Sequence, residues 1–275
     1  MPSYRAGALV IGSLYWDQMP ERQAWRARYF GTADQPEARS VPLPLRYGMY
    51  SRKRQCPTMV LSQDWAQAGR LGQALVLPFQ REYELPELLE AARDQSYAEG
   101  PADRRLLKGP PHDPWCLLVA WLNPQLDKAR REALLEAWGA AYEAALTPAL
   151  RARFRMEGEA AGLIDERGCL AYPWPASLAD LDLVFLTQTR PIRGNGQRDA
   201  YPNPAEIARE STPRSSYFLC NRFFGLRTAQ DETIAQELVK LSSAETIAQN
   251  ARQEGCLPQV SAQTAPLLRT EIRPE

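Results

Sequence analysis

Histidine is almost missing from this 275-residue chain: His112 is the only one. A Ser-His-Asp or Cys-His mechanism would have to run through it, and metal sites built from several histidines are excluded. His112 sits in KGPPHDPW, whose prolines read as a surface loop, and that plain reading outweighs a catalytic one. Cysteine is scarce too. Cys56, Cys116, Cys169, Cys220 and Cys256 are odd in number, far apart and never in a CxxC pair, which excludes a disulfide framework and a zinc knuckle. Charge of one sign is not in excess. With 33 basic and 33 acidic side chains, no net field draws in nucleic acid or an anionic membrane. No apolar run approaches the roughly 20 residues that cross a bilayer. The start MPSYRAGALVIG carries neither a long basic leader nor a small-residue cleavage site, so a cytoplasmic protein is expected.

Short apolar segments bounded by Gly, Pro or polar clusters are abundant. GALVIGSLYW reads as a buried first strand ending in a tight Gly-Ser loop, and LPLRYGMYSR, PTMVLS and RLGQALVLPF read as three further strands. The stretch between Trp16 and about Pro42 is polar with scattered aromatics and shows no assigned element. In YELPELLEAARDQSYAEG, Leu85, Leu88, Leu89, Ala92 and Ser96 share one helical face, and Gly100 is placed to end the helix just after Glu99. PWCLLVAWL is again strand-like. The order of four strands, one helix and one strand predicts an α+β core.

Beyond this core, Asn123 and Pro124 predict a helix start, followed by an apolar stripe through Leu134, Trp138 and Tyr142. Thr147 and Pro148 repeat that start signal, while GCLAYPWP and LDLVFLTQT resemble strands. PIRGNGQRDAYPNP reads as an exposed loop. Thr228 with Asp231, and Ser242 with Glu245, show capping-box spacing ahead of two further helices. The boundaries expected are a core over residues 1–125 and an α-rich extension over 126–275 packed on it.

At the first strand end, Gly12-Ser13-Leu14 lets backbone amides approach an anion closely, because glycine has no β-carbon. Glu99 ends the helix, with Glu90 and Asp94 as rivals on the same helix. A strand ending in Gly-Ser-Leu, three strands, a helix finishing in Glu99-Gly100 and a final strand together resemble the gamma-glutamylcyclotransferase-like superfamily. The resemblance spans roughly the first 125 residues and departs at Ile11, where the family has tyrosine. It implies a small mixed β-sheet or barrel core with packed helices. It further implies that Gly12, Ser13 and Leu14 grip the alpha end of a gamma-glutamyl group while Glu99 serves as general acid/base, releasing 5-oxoproline without any cofactor.

Arg46 and Tyr50 alternate along a strand and could face a pocket, although amphipathic strands show the same pattern for packing. Arg190, Arg193 and Arg198 flank Gly194-Asn195-Gly196, and Arg193 could close on an acidic ligand or remain a solvated loop arginine. That GxG lacks the third glycine and following helix of a dinucleotide site. The expected partner is a small molecule with an amino-acid-like acidic group, with no metal, nucleic acid or membrane. The alternative is a non-catalytic member of the fold that binds a small acidic metabolite or a protein.

Overall fold

A computed structural model describes residues 2–31, 37–52, 54–99, 116–145, 162–198, 200–211 and 216–241. The apolar runs expected as strands supply β2 (Ala6–Val10), β4 (Leu45–Ser51), β5 (Cys56–Leu61), β6 (Gly72–Pro78), β8 (Leu117–Leu122) and β9 (Leu183–Gln188). Two short strands, β1 (Ser3–Tyr4) and β7 (Tyr83–Glu84), pair with each other, and β3 (Arg39–Leu43) lies at a sheet edge. Its Pro42 cannot donate to a ladder, which suits an edge strand.

The main sheet has the order β3-β6-β2-β9-β8, while β4 and β5 form a separate hairpin. Within the sheet β2 and β9 are parallel, with Leu9 opposite Leu186, and every other pair is antiparallel. The architecture is therefore mixed α+β, with seven α-helices among the described residues. β9 comes from beyond residue 125, yet it lies between β2 and β8. The sheet is continuous across the expected domain boundary.

Strands buried on both faces read as unbroken apolar runs, and β2 is buried at all five positions. One face is covered by α4 (Lys128–Ala145), whose Leu134, Trp138 and Tyr142 follow a four-residue spacing and are buried, with the Trp138 and Phe185 rings 5.4 Å apart. The helix does not start at Asn123. Asn123 accepts from the Gln125 amide at 2.9 Å and donates to the Leu181 carbonyl at 2.8 Å, so it makes an Asx turn and a buried tie. Asp127 caps the helix instead, accepting from the Ala129 and Arg130 amides, each at 3.1 Å.

Helix α1 (Pro20–Phe30) occupies the stretch that sequence reading left without an element. Pro20 suits the first turn, and Arg22, Trp25, Arg26, Tyr29 and Phe30 form its buried face. α1 packs on α3 (Leu85–Glu99), where Arg28 reaches Glu90 at 2.8 Å and Asp94 at 2.5 Å and the Tyr29 hydroxyl donates to Asp94 at 2.7 Å. GCLAYPWP forms no strand; it contributes isolated bridges from Cys169 to Ala120 and from Leu170 to Ile164. Of the two capping boxes, Thr228 and Asp231 are in place ahead of α7 (Asp231–Leu241), with the Thr228 amide donating to Asp231 at 2.9 Å. His112, Gly100, the expected helix at Thr147 and the second box at Ser242 lie outside the described residues. The remaining helices are α2 (Gln63–Gln67), α5 (Pro204–Ser211) and α6 (Ser216–Phe223).

Candidate functional site

Because β2 and β9 run parallel, their carboxyl ends emerge at one edge of the sheet. The turn following β2 and the residues around Thr187 are therefore neighbours, an arrangement that favours ligand crevices in open sheets. The turn is tight: the Tyr15 amide donates to the Gly12 carbonyl at 3.3 Å and the Asp17 amide to the Ser13 carbonyl at 2.9 Å. α3 delivers Glu99 to the same edge, where one carboxylate oxygen accepts from the Thr187 hydroxyl at 3.0 Å.

These groups line a cavity of about 650 Å³. Gly12, Ser13 and Glu99 reach it from the β2 turn and α3; Met49, Tyr50 and Met59 reach it from the β4–β5 hairpin. A second carboxylate, Glu21, also lines it, and one Glu21 oxygen is buried with no hydrogen-bond partner among the described residues.

Arg22 organises the polar end. Its side chain is only 8% exposed, a position a guanidinium tolerates only when its donors are matched. Nε donates to the Ala98 carbonyl at 3.1 Å, one terminal nitrogen donates to Ser13 Oγ and to Asp17 at 3.1 Å, and the other lies 3.5 Å from Glu99. Asp17 is shared with Arg54. Beside it, Arg26 donates to the Leu14 and Asp17 carbonyls at 2.8 Å each, and burial lowers its pKa. Tyr217 lines the cavity beside the turn. Its hydroxyl would lie 2.4 Å from a β-carbon at Gly12, so glycine there is required by close approach. Burial pushes that phenol up to about 12.

The residues singled out in the sequence separate cleanly. Gly12, Ser13, Tyr50, Arg193 and Glu99 share the cavity. Leu14 does not line it: the side chain is fully buried in the hydrophobic core, where an apolar group gains most. Arg46 also lies elsewhere, its guanidinium 4.0 Å from the Tyr201 ring centroid and 5.3 Å from that of Trp65. Arg193 lines the cavity but is ion-paired with Glu206. Glu90 and Asp94 are occupied by Arg28 of α1 and do not line the cavity.

Sequence reading missed Arg22, Asp17, Arg54, Thr187 and Tyr217. A usable signal existed for Arg22: Trp25, Tyr29 and Phe30 sit at helical spacing after Pro20. Two arginines on the buried face masked it. Among the described residues no group of three or more His, Cys, Asp or Glu side chains gathers to hold a metal.

Fold and site together define a mixed α+β protein with an arginine- and carboxylate-lined cavity where two parallel strands end. Comparison with protein-family models, with curated proteins and with solved structures gives no match.

Proposed function

We propose that this chain is a gamma-glutamylcyclotransferase-like enzyme, in fold as in chemistry, that cyclises a gamma-glutamyl amine or related amide with Glu99 as general acid/base. The observation that carries this reading is that the Glu99 carboxylate and the Gly12-Ser13 turn line one cavity, while Glu90 and Asp94 are committed elsewhere.

In the proposed reaction the turn holds the alpha end of the glutamyl group and Glu99 removes a proton from its ammonium. The freed nitrogen attacks the gamma-carbonyl carbon, and the proton held by Glu99 passes to the leaving nitrogen as the amide C–N bond breaks. The ring nitrogen gives up its remaining extra proton through Glu99 to the departing amine, which leaves as an ammonium. The products are 5-oxoproline and an amine, with no oxidant, reductant or co-reactant consumed. Nucleophile and electrophile belong to one molecule, so positioning supplies much of the rate and no enzyme nucleophile is needed. The described cysteines, Cys56, Cys116, Cys169 and Cys220, are buried thiols, which fits work in the reducing cytoplasm.

The test is release of 5-oxoproline from a panel of gamma-glutamyl amides by the wild type, Glu99→Gln and Glu21→Gln. The amide of Glu99→Gln keeps the shape but cannot accept the proton, so a loss of at least roughly 100-fold is expected. Glu21→Gln should keep most of the activity. The reverse pattern would transfer the role to Glu21, and no release from any compound would sink the cyclase reading.

A further inference from the structure

A cavity of about 650 Å³ falls in the range of sites that enclose drug-sized ligands, and the polar end around Glu99 takes up only part of its wall. The remainder is built from different chemistry. From Thr187, whose hydroxyl donates to Glu99, the chain continues five residues to Ile192, which also lines the cavity. There Ile192 bridges to Met49, and the backbone is fully used: the Tyr50 amide donates to the Ile192 carbonyl at 2.7 Å and the Ile192 amide to the Gly48 carbonyl at 2.9 Å.

Two polar side chains of this end are also engaged. The Thr58 hydroxyl donates to the Met49 carbonyl at 2.8 Å, and Arg193 is paired with Glu206. Gly194 lies against the Tyr50 ring, where a β-carbon would stand 3.2 Å from it. Met49, Met59, Ile192 and the face of Tyr50 are thus what a ligand meets. Arg52, a further cation on the lining, is exposed to solvent. An apolar body gains by burial here, whereas an ammonium loses hydration against these side chains. Glu206 is already paired with Arg193, and Glu210, whose carboxylate would stand 3.5 Å from a β-carbon at Gly194, does not line the cavity. The lining carboxylates Glu21 and Glu99 belong to α1 and α3. Two thioethers adapt their shape to the group they contact.

We propose that this end is the subsite for the leaving amine and that it selects amines with a bulky apolar body, such as aralkyl or branched alkyl amines, over small, cationic or acidic ones. The inference rests on the cyclotransferase reading and deepens it.

The experiment compares gamma-glutamyl 2-phenylethylamide, gamma-glutamyl methylamide, the cationic monoamide of ethylenediamine, and gamma-glutamylglycine, following 5-oxoproline release by the wild-type chain. Expected is a kcat/KM for the phenylethylamide roughly tenfold or more above that for the methylamide, with the cationic amide lowest, and a narrower ratio in Met49→Ser. Equal values across the panel, or preference for the cationic or the acidic compound, would overturn the subsite. Calorimetric binding of the same compounds to Glu99→Gln separates this outcome from a failure of the chemistry. If the wild type releases nothing, tenfold tighter binding of the phenylethylamide keeps the apolar subsite and overturns the cyclase alone. Equal binding overturns the subsite as well.

Discussion

The guanidinium of Arg22 stands 3.5 Å from the Glu99 carboxylate while it also donates to Ser13 Oγ, so one side chain fixes the spacing between the β2 turn and the end of α3. Lysine keeps the charge but is a point donor that cannot span such a fork. Arg22→Lys should fold, with kcat for 5-oxoproline release down roughly tenfold and KM changed less. Arg22→Ala should also lower stability in denaturant titration by roughly 3 kcal/mol, since it breaks a buried ion pair. A lysine variant as fast as the wild type would show that the spacing is set by something else.

Gly12 and Tyr217 are in steric contact. Gly12→Ala puts a methyl group 2.4 Å from the Tyr217 hydroxyl, an overpacking that costs on the order of 1–3 kcal/mol. Removing the oxygen with Tyr217→Phe leaves the ring carbon at 3.4 Å, an ordinary contact. The double variant should therefore be less destabilised than the sum of the singles, by thermal or denaturant unfolding. Simple additivity would mean that the turn gives way instead of the ring.

Asp231, buried at the start of α7, has its carboxyl pushed from 3.8 up to about 6, chiefly by burial and against the hydrogen bonds from Thr228. Between those values the native state holds the proton more tightly than the unfolded chain. This contribution to stability is fully present below about pH 4 and is lost as pH rises through about 6. The loss is on the order of 3 kcal/mol. Asp231→Asn can keep the acceptor for the Thr228 amide and does not ionise. Its melting temperature should vary less than that of the wild type from pH 4 to 7, and two parallel profiles would remove Asp231 as the source.

The segment around Ile192 and Arg193 should behave as a fixed wall. Its backbone is stitched to β4 and the Arg193 amide donates to the Gln197 carbonyl at 2.9 Å. Amide exchange at Tyr50 and Ile192 should be slow before any ligand is added. Arg193→Ala should act through loss of the Glu206 pair, shifting stability by about 1 kcal/mol or less, since both partners are partly exposed. Fast exchange at both amides that slows on adding a gamma-glutamyl amide would instead mark a closing lid.

Much of the sheet is legible in the sequence because strands buried on both faces are plain apolar runs: β2, β6, β8 and β9 need no partner to be recognised. The helix carrying Glu99 is legible for a similar reason, its apolar face being regular. α1 is not. Its inward face contains Arg22 and Arg26, whose burial makes sense only once Asp17, Glu99 and the turn carbonyls are known to surround them. Asn123 misleads because the same side-chain oxygen can cap a helix or close an Asx turn, and its buried ties to the 179–181 segment leave no local trace. Leu14 and Arg46 illustrate a further limit: the turn and strand are recognisable, but which side of each meets the cavity depends on packing from distant chain.

The central place of β9 has a consequence for synthesis. When the first 125 residues have left a ribosome, β2 and β8 are both out, but the strand that lies between them is still to come. Until residues 183–188 arrive, each presents an unpaired edge with bare amides and carbonyls along an apolar strand, the kind of template that captures other chains. The nascent protein thus passes through a window, nearly 60 residues long, in which a chaperone that shields strand edges would find its substrate. That window closes in the same step that brings Thr187 to Glu99.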